Sequence, residues 1–548
     1  MALENIRGNL KPGQTVLEAV MEKLEEVARQ GYTHVHFTPF TRPTDKKSPA
    51  KHKPEKCPYA IEAADLNPVY TGGRNVSYEE TEMLIRKMVD RCRSLGMEPV
   101  YDIAMNHIGY GARIFDPVRR KELFDDPIFG ELARAADSGR VNPETLFDDY
   151  RQKRKGSISG QWLDVRQARI DEPERMEILV EYFYIPWLKW IAKLGFRALR
   201  VDAAAVLPED FVRRIAPFMA EILGGEKGSK ILVLMEALGE SPKKHRYLVD
   251  AFTDLEDRAT VYALNSGLWG ITADCGHIYP ETLKAQLAGN NQHVFWALVH
   301  SRVLGSRQIG VVGTHDTMDE FTEMTCLAAP HEAENRHSLR HWLRRHISET
   351  TELGNNHRFF ISLLMLSRPG LMMTAHHEHI LSRQYEWFNT QPVVTSSEDE
   401  KTFSFIQAMN IVHGQLYQDR SYTWQEIAFN SLWPDNYLHI FRPEAGYRGD
   451  PEIVFANTEG QAQPSLDAED YTALIDSLLA SKTSPDRQAS FGTLHLLGEF
   501  EPTVARKIAT YYRSRGHEVM CNGRPVPVLA LVPPLVEESV AIKPAAGA

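Results

Sequence analysis

Up to about residue 395, the apolar positions of the chain switch repeatedly between two periods. "TVLEAVMEKLEEVARQG" (15–31) carries them at helical spacing and closes on glycine, which predicts a helix. "YTHVHFTPF" (32–40) is β-branched and aromatic and stops at proline, which predicts a strand. "SYEETEMLIRKMVDRCRSLG" (77–96) reads as an amphipathic helix capped by Ser77. "EPVYDIAMNH" (98–107) reads as a strand and is followed by a polar, Asp- and Arg-rich excursion with little periodicity. "EPERMEILVEYFYIPWLKWIAKLG" (172–195) predicts a long helix interrupted at Pro186, leading into the apolar run "GFRALRVDAAAV" (195–206). "KILVLMEALGE" (230–240) and "QIGVVGTHD" (308–316) are further apolar runs with polar ends, and the helical pattern "FFISLLMLSR" (359–368) precedes "GLMMTAHHEH" (370–379).

Repeated strand–helix units imply parallel strands with crossover helices. The expected fold is therefore α/β, a (β/α)8 TIM barrel with a loop domain inserted after the third strand and a smaller C-terminal β-rich domain. A doubly wound open sheet is the alternative, but "GGEKGSK" (224–230) lacks the spacing of a glycine-rich nucleotide turn. The expected division is 1–107 with 166–394 for the barrel, 108–165 for the insertion, and 395–548 for the C-terminal domain. There, "YLHIFRP" and "EIVFANTE" read as short antiparallel strands, joined by a helix at 501–516 and further strands.

Composition narrows the class of function. A length of 548 residues calls for two or three domains, and 43% apolar with 25% charged residues suits a globular protein with a large core. The formal net charge of −11 argues against a nucleic-acid binder. No apolar run reaches transmembrane length and the N-terminus lacks a secretory signature, so no membrane partner is expected. The five cysteines (57, 92, 275, 326, 521) are scattered without a CxxC spacing, so neither a disulfide framework nor a zinc site is expected and the cytoplasm is the expected location.

The chemistry lies at the strand ends. In "GFRALRVD", alternation places Phe196, Ala198, Arg200 and Asp202 on one face, where the arginine would hold the aspartate ionised and oriented. Other strands end in Asp102, Asn106 and His107, in Glu236, and in His315 with Asp316. Taken singly, each would more readily be a helix cap or a turn residue. Four polar terminations of apolar strands in one chain point instead to a shared site at the mouth of a barrel.

These four blocks resemble the four signature regions of glycoside hydrolase family 13, the α-amylase superfamily: "DIAMNH", "GFRALRVD", the lone glutamate of "LME", and "THD". The resemblance covers roughly residues 15–390. It implies Asp202 as nucleophile, Glu236 as general acid/base, and Asp316 as a brace for substrate and transition state. Arg200 would orient Asp202, and Tyr59, Asp102, Asn106, His107 and His315 would bind the sugar. Retaining glycosidases place an ionised carboxylate and a protonated carboxyl about 5–5.5 Å apart. Met235 and Leu238, flanking Glu236, are expected to help raise its pKa.

Within the superfamily, "KCPYAIEAADLNP" (56–68) resembles a segment of the α-1,4-glucan:maltose-1-phosphate maltosyltransferases, in which Tyr59 would stack on the reacting sugar. "WLDVRQARIDEPE" (162–174) is more loosely similar. Lysines 46, 47, 51, 53 and 56 precede Tyr59 and would suit a sugar phosphate, although a solvated lysine loop is the plainer reading. The substrate would be an oligosaccharide or a sugar phosphate, with no cofactor required, calcium optional for want of a full oxygen-ligand set, and a homodimer left open. Two departures stand out. Ala205 and Val206 occupy the place of the Lys-His pair that follows the nucleophile in many amylases, and residues 1–14 leave the family's first barrel strand missing or cramped. "HHEH" (376–379) and the histidines 337, 341 and 346 read as structural or solvated rather than metal-binding.

Overall fold

The computed structural model describes residues 10–44, 57–149, 165–225, 228–237, 242–265, 307–311, 350–366, 371–372, 397–417, 422–429, 436–443, 450–458, 466–482 and 491–527. Seven strands form one sheet in chain order: β1 (His34–Phe37), β2 (Glu98–Ala104), β3 (Ala198–Asp202), β4 (Ile231–Glu236), β5 (Ala259–Asn265), β6 (Gln308–Val311) and β7 (Leu371–Met372). Every neighbouring pair is parallel. Parallel neighbours require a crossover between them, and helices supply it. α1 (Val16–Arg29), opened by a capping box between Thr15 and Glu18, precedes β1, and the first crossover helix is α2 (Tyr78–Ser94), capped by Ser77 as expected.

Further along, the segment 173–193 runs as helix Pro173–Leu179, a π turn Val180–Tyr184, and α3 (Ile185–Lys193). The expected interruption at Pro186 is thus absorbed as one wider turn, because proline lacks an N–H and crowds the carbonyl four residues back. Next come α4 (Glu209–Gly224), between β3 and β4, and α5 (Pro242–Asp250), between β4 and β5. Among the described residues no strand precedes α1, and the parallel sheet has seven strands.

Alternation along β2, β3 and β4 separates two environments. Tyr101, Ile103, Leu199, Val201, Val233 and Met235 join the helix-facing core, whereas Val100, Ala198, Leu234 and Leu264 form a separate cluster on the other face. Four adjacent strands meeting in that small cluster make the sheet concave there, a curled half-barrel. Phe196 departs from the sequence expectation. It lies before β3 and packs against Tyr101 at 5.3 Å between ring centroids, on the helix side, so only Ala198, Arg200 and Asp202 share the inner face.

Between β2 and β3, residues 107–168 contain a small antiparallel sheet of His107–Gly109, Val165–Ala168 and Phe147–Asp149. Gly109 is required by close approach. A Cβ there would lie 2.6 Å from the Ala60 carbonyl oxygen and 2.9 Å from that of Ile61. Gly109→Ala is therefore expected to push the Tyr59-bearing segment out of place, costing about 1–3 kcal/mol in urea unfolding.

The C-terminal sheet runs β8 (Tyr422–Phe429), β9 (Asn436–Pro443), β10 (Glu452–Asn457), β11 (Thr493–Leu497), β12 (Glu518–Cys521) and β13 (Arg524–Pro525). β8, β9 and β10 are antiparallel, but β10, β11 and β12 are parallel. The helices Ala468–Ala480 and Pro502–Arg513 make the two crossovers and cover the face bearing Leu438, Ile440, Phe455 and Leu496. This region is thus β-rich, as expected, with a mixed parallel and antiparallel sheet. The change of texture near residue 395 is itself helical (Ser397–Tyr417). Gln407 and Asn410 of that helix donate at 2.9 and 2.8 Å to the carbonyls of Arg29 and Gln30, at the end of α1.

Candidate active site

Asp202 and Glu236 are the last residues of adjacent parallel strands. The register pairs Arg200 with Leu234 and Val201 with Met235, so one further step sets Asp202 beside Glu236 on the concave face. On the other side, Asp102 pairs with Arg200 and Ala104 with Asp202. Neighbouring strands lie about 4.8 Å apart. Strand pairing therefore sets the two carboxyls at adjacent positions on one face.

The side chains converge on Arg200, which is fully buried. Its Nη1 donates to both oxygens of Asp102 at 2.9 Å, to Asp202 Oδ1 at 2.6 Å, and to the Tyr59 hydroxyl at 3.3 Å. Its Nη2 donates to Glu236 Oε1. Sequence reasoning assigned Arg200 to Asp202 alone; here it holds all three carboxyls. Tyr59 donates its hydroxyl to Asp102 Oδ2 at 2.6 Å, and the guanidinium carbon lies 5.7 Å from the centre of the Tyr59 ring.

Glu236 has a second donor. Ala203 adopts a left-handed conformation (φ 46°, ψ 38°) immediately after Asp202, and its N–H reaches Glu236 Oε2 at 2.8 Å. A non-glycine residue there carries about 1–3 kcal/mol of strain, of the kind kept where geometry serves a site. A β-branched side chain fits this conformation far less well. Ala203→Val is expected to lower activity more than tenfold while costing about 2 kcal/mol of stability, read by kinetics and thermal unfolding together. Met235, expected beside the Glu236 carboxyl, instead faces the helix-side core, since strand alternation sends it the other way; Leu238 lies outside the described residues.

The strand ends, the register and the polar cluster thus converge at one edge of the parallel sheet. The chain shares its fold with α-amylases. The α-amylase of Geobacillus thermoleovorans, solved with acarbose, is 14% identical over 79% of each chain, with a TM-score of 0.51. An Anoxybacillus α-amylase is also 14% identical, covering 83% of this chain and 82% of its own, with a TM-score of 0.51. No family model matches the sequence, and no curated protein does.

Within this amylase-like fold one participant had been missed. His36, on β1, meets Asp102 Oδ2 through Nε2 at 2.8 Å. Its only sequence signal was a histidine inside the apolar run "YTHVHF". Burial pushes its pKa down to about 4 although Asp102 opposes the shift. Asp102 shows the reverse balance: burial alone would raise its pKa, but Arg200 and then His36 hold it well below the usual carboxylate range. The Tyr59 hydroxyl is pushed far above its ordinary value by burial and by Asp102. His107 is buried, pairs through Nδ1 with Asn106 Oδ1 at 2.7 Å and bonds the Tyr59 backbone; burial pushes its pKa down to about 4. His107 and Asn106 therefore tie the Tyr59 segment to the end of β2.

His315, Asp316, "HHEH", the histidines 337, 341 and 346, and lysines 46, 47, 51, 53 and 56 lie outside the described residues. Asn106 presents its side-chain oxygen to His107. Among the described residues no three His, Cys, Asp or Glu side chains converge as a metal would require. No helix among them is long and apolar enough to cross a membrane.

The buried histidines set an acid limit. His36 and His107 are held near 4 and His439, in the C-terminal sheet, near 3 by burial; neither His439 ring nitrogen has a hydrogen-bond partner among the described residues. The unfolded chain binds these protons below about pH 6.5 while the folded chain refuses them. Their stabilisation is complete above pH 6.5 and is lost as pH falls toward 4, by about 1.4 kcal/mol per histidine per pH unit. Urea unfolding at pH 7.5 and pH 5 should show a marked fall in midpoint, and His439→Leu should make that fall shallower.

Proposed function

We propose that the chain is a retaining α-glycoside-active enzyme that takes α-glucosyl or maltosyl donors through a covalent glycosyl-enzyme and passes them to a sugar acceptor. The observation that carries this reading is the pairing of Asp202 and Glu236 at adjacent strand ends on the two terminal nitrogens of one buried guanidinium. Arg200 orients the Asp202 carboxylate through Oδ1, and that carboxylate attacks the anomeric carbon. As the bond from C1 to the carboxylate oxygen forms, the C1–O bond to the leaving sugar breaks and Glu236 delivers its proton to the leaving oxygen. Glu236 then removes a proton from the acceptor hydroxyl, which displaces Asp202. Three carboxyls formally face one permanent cation here, and the excess of acidic groups suits the positive charge that grows at the anomeric carbon. Tyr59 and His107 would contact the sugar, with Asp102 and Asn106 holding them; Asp316 and His315 would complete the site from the fourth block.

In this reading the parallel sheet belongs to a (β/α)8-type barrel, with 108–165 as its inserted domain and 395–548 as the C-terminal domain. The lysine loop before Tyr59 is read as a solvated loop, and a phosphate on donor or acceptor is the alternative that the maltosyltransferase resemblance offers it. No cofactor is required, and the cytoplasm is the proposed location. Hydrolysis of the α-amylase or α-glucosidase type is the second reading, favoured by the names of the two similar structures. Mass spectrometry of products from a panel of α-glucosyl and maltosyl donors, with and without phosphate, separates them. Transfer predicts elongated or phosphorylated sugars, whereas free reducing sugar alone would support hydrolysis. A panel left wholly unprocessed would reject both.

A further inference from the structure

The turns that leave β3 and β4 are both fastened to the same helix. His245 of α5 is almost fully buried, and its Nε2 lies 2.7 Å from the Ala237 carbonyl oxygen. A carbonyl only accepts, so Nε2 carries the proton. Ala237 is the residue after Glu236, and its own N–H donates to the Leu264 carbonyl on β5 at 3.0 Å. Two residues further along α5, the Tyr247 hydroxyl donates to the Leu207 carbonyl at 2.9 Å. Leu207 closes the short 3-10 turn Ala204–Val206 that follows Asp202 and the left-handed Ala203. The helix itself is anchored by Leu248 and Val249, both buried in the main core.

We infer that α5 is a brace that sets the spacing of Asp202 and Glu236, with His245 and Tyr247 as its positioning residues. The inference rests on the glycosidase reading of those two carboxyls. The paired register of β3 and β4 ends at Val201 with Met235, and beyond it Arg200 joins the two carboxyls only through flexible side chains. Hydrogen bonds from a single rigid helix to the backbone beyond each carboxyl remove that freedom. A shift of about 1 Å in reacting groups can cost on the order of 100-fold in rate. Neither residue touches substrate in this arrangement, so the expected signature lies in kcat and not in KM.

The test compares full-length wild type, His245→Leu, His245→Gln and Tyr247→Phe, using a fluorinated α-glucosyl donor for labelling and an aryl α-glucoside for turnover. His245→Leu should lower kcat roughly 10- to 100-fold with KM changed less than about threefold. His245→Gln, whose amide can donate to Ala237, should recover most of that loss. Tyr247→Phe, which keeps the ring, should lower kcat severalfold and slow labelling in parallel. Equal losses in the Leu and Gln variants, or losses seen only in KM, would overturn the brace. Should His245→Leu fail to fold, an unchanged kcat in Tyr247→Phe would overturn it instead. A wild type that is neither labelled nor active overturns the glycosidase reading itself, whereas a labelled wild type with unaffected variants overturns the brace alone.

Discussion

Asp202→Asn is expected to reduce turnover by at least about 10⁴-fold while the protein stays folded. The loss follows from chemistry: an amide cannot supply the electron pair that forms the ester to the anomeric carbon. Retention of the fold follows from the surroundings. Asp202 is one of three carboxyls around Arg200, and the other two remain when it is changed. The asparagine oxygen can still accept from Nη1, and one formal negative charge leaves a crowded site. Residues kept for chemistry commonly hold stability below its optimum. The thermal midpoint should therefore stay level or rise. A variant that loses activity by unfolding would not support the assignment.

The second large effect is structural. Arg200→Met should destabilise the protein by about 3–5 kcal/mol, because it removes the guanidinium that Asp102, Asp202 and Glu236 share. For a domain of this size that is a fall in midpoint of roughly 4–7 °C. Arg200→Lys should recover only part of it. One ammonium group cannot reproduce a planar fork that serves both Asp102 oxygens, Asp202, Tyr59 and Glu236 at once. Adding Asp102→Asn to Arg200→Met should restore stability, since it removes one of the stranded charges. A double variant no more stable than Arg200→Met alone would show that the guanidinium acts by packing and not by charge.

How much of this could be read beforehand depended on the range of each signal. Asp102, Arg200, Asp202 and Glu236 were legible because each interrupts an apolar run at its polar end, a local pattern with a stated cost if left unpaired. Their mutual arrangement was not. That Arg200 would bond Glu236 as well as Asp202 depends on strand register, which only pairing fixes. His36 escaped notice because its partner Asp102 is far along the chain and a lone histidine in a strand has no distinctive spacing. Phe196 and Met235 were misplaced for simpler reasons. β3 begins two residues after Phe196, and alternation turns Met235 away from the carboxyl of its neighbour. In the C-terminal region the antiparallel strands were visible. The parallel turn of β10, β11 and β12 was not, because the helix Ala468–Ala480 between them had not been recognised.

The most direct test of the central claim is covalent trapping. The protein is incubated with a fluorinated α-glucosyl donor, digested, and mapped by mass spectrometry. A single sugar adduct on the Asp202 peptide, absent from Asp202→Asn, is the predicted result. An adduct on another carboxylate, or an active enzyme that never forms one, would contradict it.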